Sequence, residues 1–172
     1  INNSKSDMAN QKNLVEENLS DDENVNIKLK DKTLTVSQLN VMALDGQVTG
    51  NISVDNYTNT LGIFDMATYS LTVADEIVVT DGTLDLGSSS GINIGGDFTS
   101  GGTIDAGSST LTFNGTSNQE ITANGATFVN ITVNKSGGSL KMQDDLTISG
   151  TLTLTDGYIK TLGNILELTS ED

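Results

Sequence analysis

Five residue types are missing from this chain of 172 residues: histidine, arginine, cysteine, tryptophan and proline. Without histidine or cysteine, the chain cannot form a Ser-His-Asp or Cys-His triad, and it lacks the ligands of the usual zinc sites. Without arginine, it has no bidentate clamp for phosphate. Apolar runs are also short, and none reaches the roughly 18 residues of a membrane-spanning helix. We therefore expect no enzyme activity and no membrane span.

The charge is of one sign, with 8 lysines against 23 acidic residues and a net charge of −15. A strongly acidic surface repels nucleic acid, so no nucleic-acid partner is expected. The chain begins with Ile1 rather than methionine, which fits a mature product whose leader was removed. Its lack of cysteine is compatible with export. We predict an extracellular or cell-surface location.

Glycine, asparagine and threonine are plentiful, and they separate short apolar stretches. From Val25 onward, apolar and polar residues alternate with a period of two, as at residues 52–54, 71–73 and 92–94. This alternation is typical of β-strands, and the intervening Gly, Asn, Asp and Ser are turn residues. The pattern predicts strands of three to five residues and no helix after Val25.

Internal repeats indicate how these strands are arranged. Residues 80–89 read TDGTLDLGSS and residues 100–109 read SGGTIDAGSS, an offset of 20, and residues 92–94 match 111–113 at an offset of 19. A looser copy begins at Asp156. This spacing predicts a parallel β-solenoid, or β-helix, whose coils stack about 4.8 Å apart. The alternative is an antiparallel β-sandwich or jelly roll, which the low aromatic content of 4% disfavours.

Composition divides the chain into three parts. Residues 1–24 form a polar, acidic N-terminal extension, and residues 25–49 are capping or first irregular strands. Residues 50–172 are the solenoid repeats. Solenoids need caps because an uncovered terminal coil exposes a strand edge.

A family resemblance rests on a series of short motifs in the second half of the chain. They are an Ala-Gly-Ser-Ser turn, Phe-Asn-Gly, Gln-x-Ile, a strand of alternating apolar residues, Ser-Gly-Gly and Gly-Thr-Leu-Thr-Leu, at residues 106–109, 113–115, 119–121, 129–133, 136–138 and 150–154. With these motifs, residues 70–172 resemble the repeat regions of secreted bacterial surface proteins of the Bacteroidetes type. The resemblance implies a β-helical, adhesin-like or scaffold region.

Carboxylates are the only candidates for a chemical site. Asp85 and Asp105 occupy equivalent positions in the two repeats, so we expect them to stack on adjacent coils and to point outward. Asp144 and Asp145 are neighbours in a turn. Their hard oxygen atoms make all four residues candidate calcium ligands, with a solvated surface as the competing interpretation. No catalytic residue is predicted; a carbohydrate-cleaving site would need such a carboxylate pair in a groove.

Together these features predict a non-enzymatic extracellular structural protein. We expect the solenoid to self-associate into a surface fibre, filament or layer through its open ends and its N-terminal segment. The expected contact surfaces are residues 25–41 and 159–168, where a strand edge can pair with another copy. The alternative is an adhesin-type module that binds glycans or a host protein.

Overall fold

The computed structural model describes residues 33–89 and 91–169, which contain seventeen strands and no helix. The predicted extension at 1–24 and the alternation at 25–29 lie outside these residues. The strands are β1 Leu34–Gln47, β2 Ile52–Asp65, β3 Leu71–Val73, β4 Ile77–Val79, β5 Thr83–Asp85, β6 Ile92–Ile94, β7 Phe98–Ser100, β8 Thr103–Asp105, β9 Thr110–Phe113, β10 Gln119–Thr122, β11 Thr127–Phe128, β12 Asn130–Asn134, β13 Leu140–Met142, β14 Leu146–Ile148, β15 Leu152–Asp156, β16 Ile159–Lys160 and β17 Leu166–Leu168.

The strands form a parallel β-solenoid of about six turns, as the repeats predict. Each later layer contributes three short strands, one to each of three parallel stacks. The first stack runs β1-β2-β3-β6-β9-β12-β15, and the second runs β2-β4-β7-β10-β13-β16. The third contains β2, β5 and β8 and, separately, β11, β14 and β17. The antiparallel sandwich is wrong, because every strand pair in the described part of the chain is parallel.

The register between layers follows the repeat offsets. Asp85 pairs with Asp105 at the offset of 20, and Ile92 pairs with Leu111 at the offset of 19. The looser copy at Asp156 is displaced, because its strand β16 belongs to the second stack whereas β5 belongs to the third. The residues of this looser copy therefore lie on a different side of the coil from the residues that they resemble.

The first two layers differ from the predicted short strands. β1 and β2 each run for 14 residues, and β2 pairs in turn with β3, β4 and β5. Gly62, with φ of 85°, lies between the segments of β2 that pair with β4 and β5, and glycine allows such a bend without ending the strand. β1 pairs with β2 from Leu34 to Gln47, so this part of the predicted capping segment stacks as a layer of the solenoid.

The core consists of apolar columns that run through the layers. Alternation sends every second side chain inward, and Leu71, Ile92, Leu111 and Ile131 form one fully buried column. Each such side chain contributes about 1.5–3 kcal/mol through burial. Two pairs of aromatic rings meet in the interior, and the rings of Phe98 and Phe128 lie edge to face at 5.6 Å.

Glycine is required where the corners of the coils stack. Gly87 and Gly107 both have positive φ, and a Cβ atom on Gly107 would lie 2.0 Å from the carbonyl oxygen of Gly87. Adjacent turns therefore approach too closely for a side chain at Gly87 or Gly107, whereas Ala67 occupies the same corner one layer earlier, also with positive φ. The recurring Ala-Gly-Ser and Leu-Gly-Ser motifs of the repeats reflect this contact.

Candidate functional site

The carboxylates of Asp85 and Asp105 stack on adjacent layers, as predicted, and Asp65 extends the ladder by one layer. The Oδ1 atom of each accepts a hydrogen bond from the backbone N–H two residues further on, at 2.6, 2.8 and 3.0 Å along the ladder. Gln47 completes the column by donating from Nε2 to Oδ2 of Asp65 at 2.7 Å. Each of these aspartate side chains thus stabilises the turn that follows its strand.

The central carboxylate of this ladder is electrostatically unfavourable. Burial raises the pKa of Asp85, the N–H of Gly87 opposes that shift, and the charges of Asp65 and Asp105 add to it. Asp65 is not among the site residues predicted from the sequence, although the apolar residue before it, Phe64, lies at the same offset of 20 from Leu84. The offset of 20 between Phe64 and Leu84 could therefore have identified Asp65 from the sequence.

Asp144 and Asp145 do not converge on a common point. Asp144 accepts from the backbone N–H groups of Ala123 at 2.8 Å and Asn124 at 2.5 Å, in the preceding layer. Asp145 accepts from the N–H of Ile165 at 2.7 Å, in the following layer. The pair therefore connects three successive layers, because each carboxylate supplies acceptors to the backbone of a different neighbour.

The structure places the four calcium candidates at two different corners. Asp144 and Asp145 precede a strand of the third stack, whereas Asp85 and Asp105 end strands of that stack. Across residues 33–89 and 91–169, no three His, Cys, Asp or Glu side chains form a group that could hold a metal ion. Calcium binding stays a prediction.

A buried polar network was not predicted from the sequence. The amine of Lys135 is buried and donates to the carbonyl oxygen of Gly115 at 2.9 Å and to Oε1 of Gln119 at 2.5 Å. Gln119 in turn donates from Nε2 to the carbonyl oxygen of Ile94 at 2.9 Å. Burial lowers the pKa of Lys135, and the carboxylate of Asp97 opposes that shift. The network joins three successive layers.

The last layer exposes apolar side chains, and two of them, Leu154 and Leu168, continue columns that are interior in the preceding layers. Leu154 continues the column of Phe113 and Val133, and Leu168 continues that of Ile148. The earlier members of both columns are fully buried. The exposed fractions in this layer are 55% for Leu154, 52% for Tyr158, 59% for Leu162, 64% for Ile165 and 54% for Leu168. We call these five residues the terminal apolar surface.

The two ends of the described solenoid differ in the exposure of those apolar side chains whose burial the structure describes. In the first layer, the apolar side chains Leu34, Leu39 and Val41 are at most 3% exposed. Among the side chains outside the last layer whose burial the structure describes, the exposed large apolar ones are Leu61 and Ile63, both in β2. Exposed apolar side chains gathered in one terminal layer, on strands with an edge that no described strand pairs, are typical of an interaction site. The terminal apolar surface is therefore the candidate functional site.

Comparisons with protein-family models, curated proteins and solved structures found no match to this chain. The resemblance to bacterial surface repeats stays a prediction. In the part of the chain that the structure describes, there is no helix with the length and apolar character needed to cross a membrane.

Proposed function

We propose that this chain is a non-enzymatic structural protein of the cell exterior that self-associates end to end into a fibre, filament or layer. The single observation that carries the proposal is the terminal apolar surface. Among the described residues, no further layer covers the half-exposed Leu154 and Leu168, whereas the inward side chains of the layers before them are buried by a neighbouring layer.

The backbone of the last layer supports the same proposal. β15, β16 and β17 each pair on one side only among the described strands, with β12, β13 and β14. No strand in residues 33–89 and 91–169 pairs with the N–H and C=O groups of their outer edges, and such an edge is a template for another strand. A partner layer would satisfy these groups and bury the leucines in one step.

The described apolar side chains of the first layer, Leu34, Leu39 and Val41, are already buried. The partner of the terminal apolar surface in the next copy would therefore be a segment that precedes β1 rather than β1 itself. A contact between unlike ends of identical copies is heterologous, and it produces an open filament when the rotation does not close. The charge of −15 would oppose association side by side.

The proposal is tested by sedimentation velocity over a series of protein concentrations, with electron microscopy of the heaviest species. We expect elongated oligomers whose mass rises with concentration, and we expect Leu154→Ser to shift them toward monomer. Leu61→Ser is the matched control, because Leu61 is equally exposed, at 55%, but lies in β2. A monomer at every concentration, or equal effects of both variants, would contradict the proposal.

A second candidate is an adhesin-type module that binds glycans or a host protein. It is favoured by a polar column on the outside of the first stack, formed in register by Ser53, Thr72, Asn93, Thr112, Thr132 and Thr153. Hydroxyl and amide groups at a regular spacing can hydrogen-bond to a repeating saccharide. Saturable binding on a glycan array by a protein that remains monomeric would favour this candidate.

A further inference from the structure

The third stack ends in a charged strand with one free edge. On its paired side, Leu166, Glu167 and Leu168 of β17 lie opposite Leu146, Thr147 and Ile148 of β14. No other described strand pairs with β17. Its three residues follow the order apolar, acidic, apolar, and Glu167 is exposed between two leucines. An incoming strand would complement this edge best with the order apolar, basic, apolar.

The solenoid already contains such a pairing. In the second stack, Glu120 of β10 lies directly opposite Lys141 of β13, and Lys141 Nζ is 3.6 Å from Glu120 Oε1. Lys141 stands between the buried side chains of Leu140 and Met142. A parallel strand of the form apolar-Lys-apolar therefore fits against a strand with a central glutamate in this architecture, with the charges side by side on the outside.

The sequence contains a second triplet of this form, Ile27-Lys28-Leu29. It lies where lysines are concentrated. Residues 27–32 contain three lysines against one aspartate, although residues 1–32 as a whole contain five lysines against seven acidic residues. The remaining 140 residues contain three lysines against 16 acidic residues. Charge complementarity thus favours a contact between residues 27–32 and an acidic layer.

We propose that residues 27–29 of one copy add as a parallel strand to the free edge of β17 in a second copy, with Lys28 beside Glu167. Ile27 and Leu29 would then cover Leu166 and Leu168, which leaves both charges at the surface. This inference rests on the proposed end-to-end association and names the strand that begins each junction. It gives that junction a polarity, because donor and acceptor lie in opposite parts of the chain.

A charge exchange in the full-length chain tests the pairing. Lys28→Glu and Glu167→Lys should each weaken association about three- to tenfold, since each replaces an attraction by a repulsion across adjacent strands. The double variant should restore association, and the effect of each single variant should shrink at high salt. Lys12→Glu is the control, because it makes the same change in net charge outside the triplet. The association constants are measured by sedimentation velocity.

The outcomes separate this inference from the proposed function. If the wild-type chain associates through Leu154 but Lys28→Glu behaves like Lys12→Glu, another strand occupies the edge, and the inference fails alone. If the charge exchange alters only the melting temperature of dilute monomer, the two residues meet within one copy, and the inference again fails. If the wild-type chain does not associate, both proposals fail.

Discussion

A matched pair of leucine substitutions tests whether the last layer is open in solution. Leu111 is fully buried in the middle of the first stack, whereas Leu154 is 55% exposed in the last layer of that stack. Leu111→Ala removes buried methyl groups and leaves a cavity, so we expect it to lower the free energy of unfolding by about 3–4 kcal/mol. Leu154→Ala loses roughly half of a leucine's burial and leaves no cavity, so we expect about 1 kcal/mol.

The assay is equilibrium urea unfolding followed by circular dichroism, at several protein concentrations. In dilute protein, the two variants should differ by the amounts above. If copies associate through the last layer, the cost of Leu154→Ala should grow with concentration, because association stabilises the folded state by mass action. Terminal layers of repeat proteins can unfold separately, and this would broaden the transition without reversing the order of the two variants. Equal losses for both variants in dilute protein would refute the open-end interpretation.

Two further predictions concern the polar groups. Gln119→Leu should destabilise the fold by about 3–5 kcal/mol, because the buried amine of Lys135 loses an acceptor. In a double-mutant cycle, the additional change Lys135→Met should recover much of that loss. Additive losses from the two substitutions would contradict the coupling between these residues. Asp85 has a raised pKa in the folded state, so its contribution to stability is present at low pH and is lost as pH rises through that pKa. Asp85→Asn should therefore stabilise the protein at neutral pH, by no more than about 0.5 kcal/mol because solvent screens this partly exposed carboxylate, and should have little effect below the ordinary aspartate pKa of about 3.9. Melts at several pH values measure the effect, and no gain at neutral pH would contradict the repulsion.

Sequence predicted the parts of this structure that depend on spacing. An offset of 20 placed Asp85 on Asp105 because parallel layers repeat the same path, so equal distances along the chain become neighbouring positions. The apolar alternation likewise located the inward columns. The long strand β2 was less apparent, because polar Asn56 and Asn59 interrupt its alternation although Asn59 is buried.

The parts that sequence did not predict depend on contacts between side chain and backbone in different layers. Lysine is almost never fully buried unless it is paired, so the amino-acid sequence did not indicate that Lys135 is buried whereas Lys160 is exposed. Its acceptors become neighbours only when the layers stack. The same holds for Asp144, whose carboxylate serves backbone amides about 20 residues earlier. The adjacent aspartates suggested an ion site, whereas in the structure both carboxylates accept hydrogen bonds from backbone N–H groups of neighbouring layers.

The parallel stacking also determines how a fibre of this protein would respond to mechanical load. The hydrogen bonds between layers run along the long axis of the solenoid, perpendicular to the strands. Tension along that axis would act on every interface between layers at once, and the weakest interface would separate first. Compression or bending would instead press packed columns such as Leu71, Ile92 and Leu111 against one another. Such a stack is suited to act as a stiff spacer rather than as a tether.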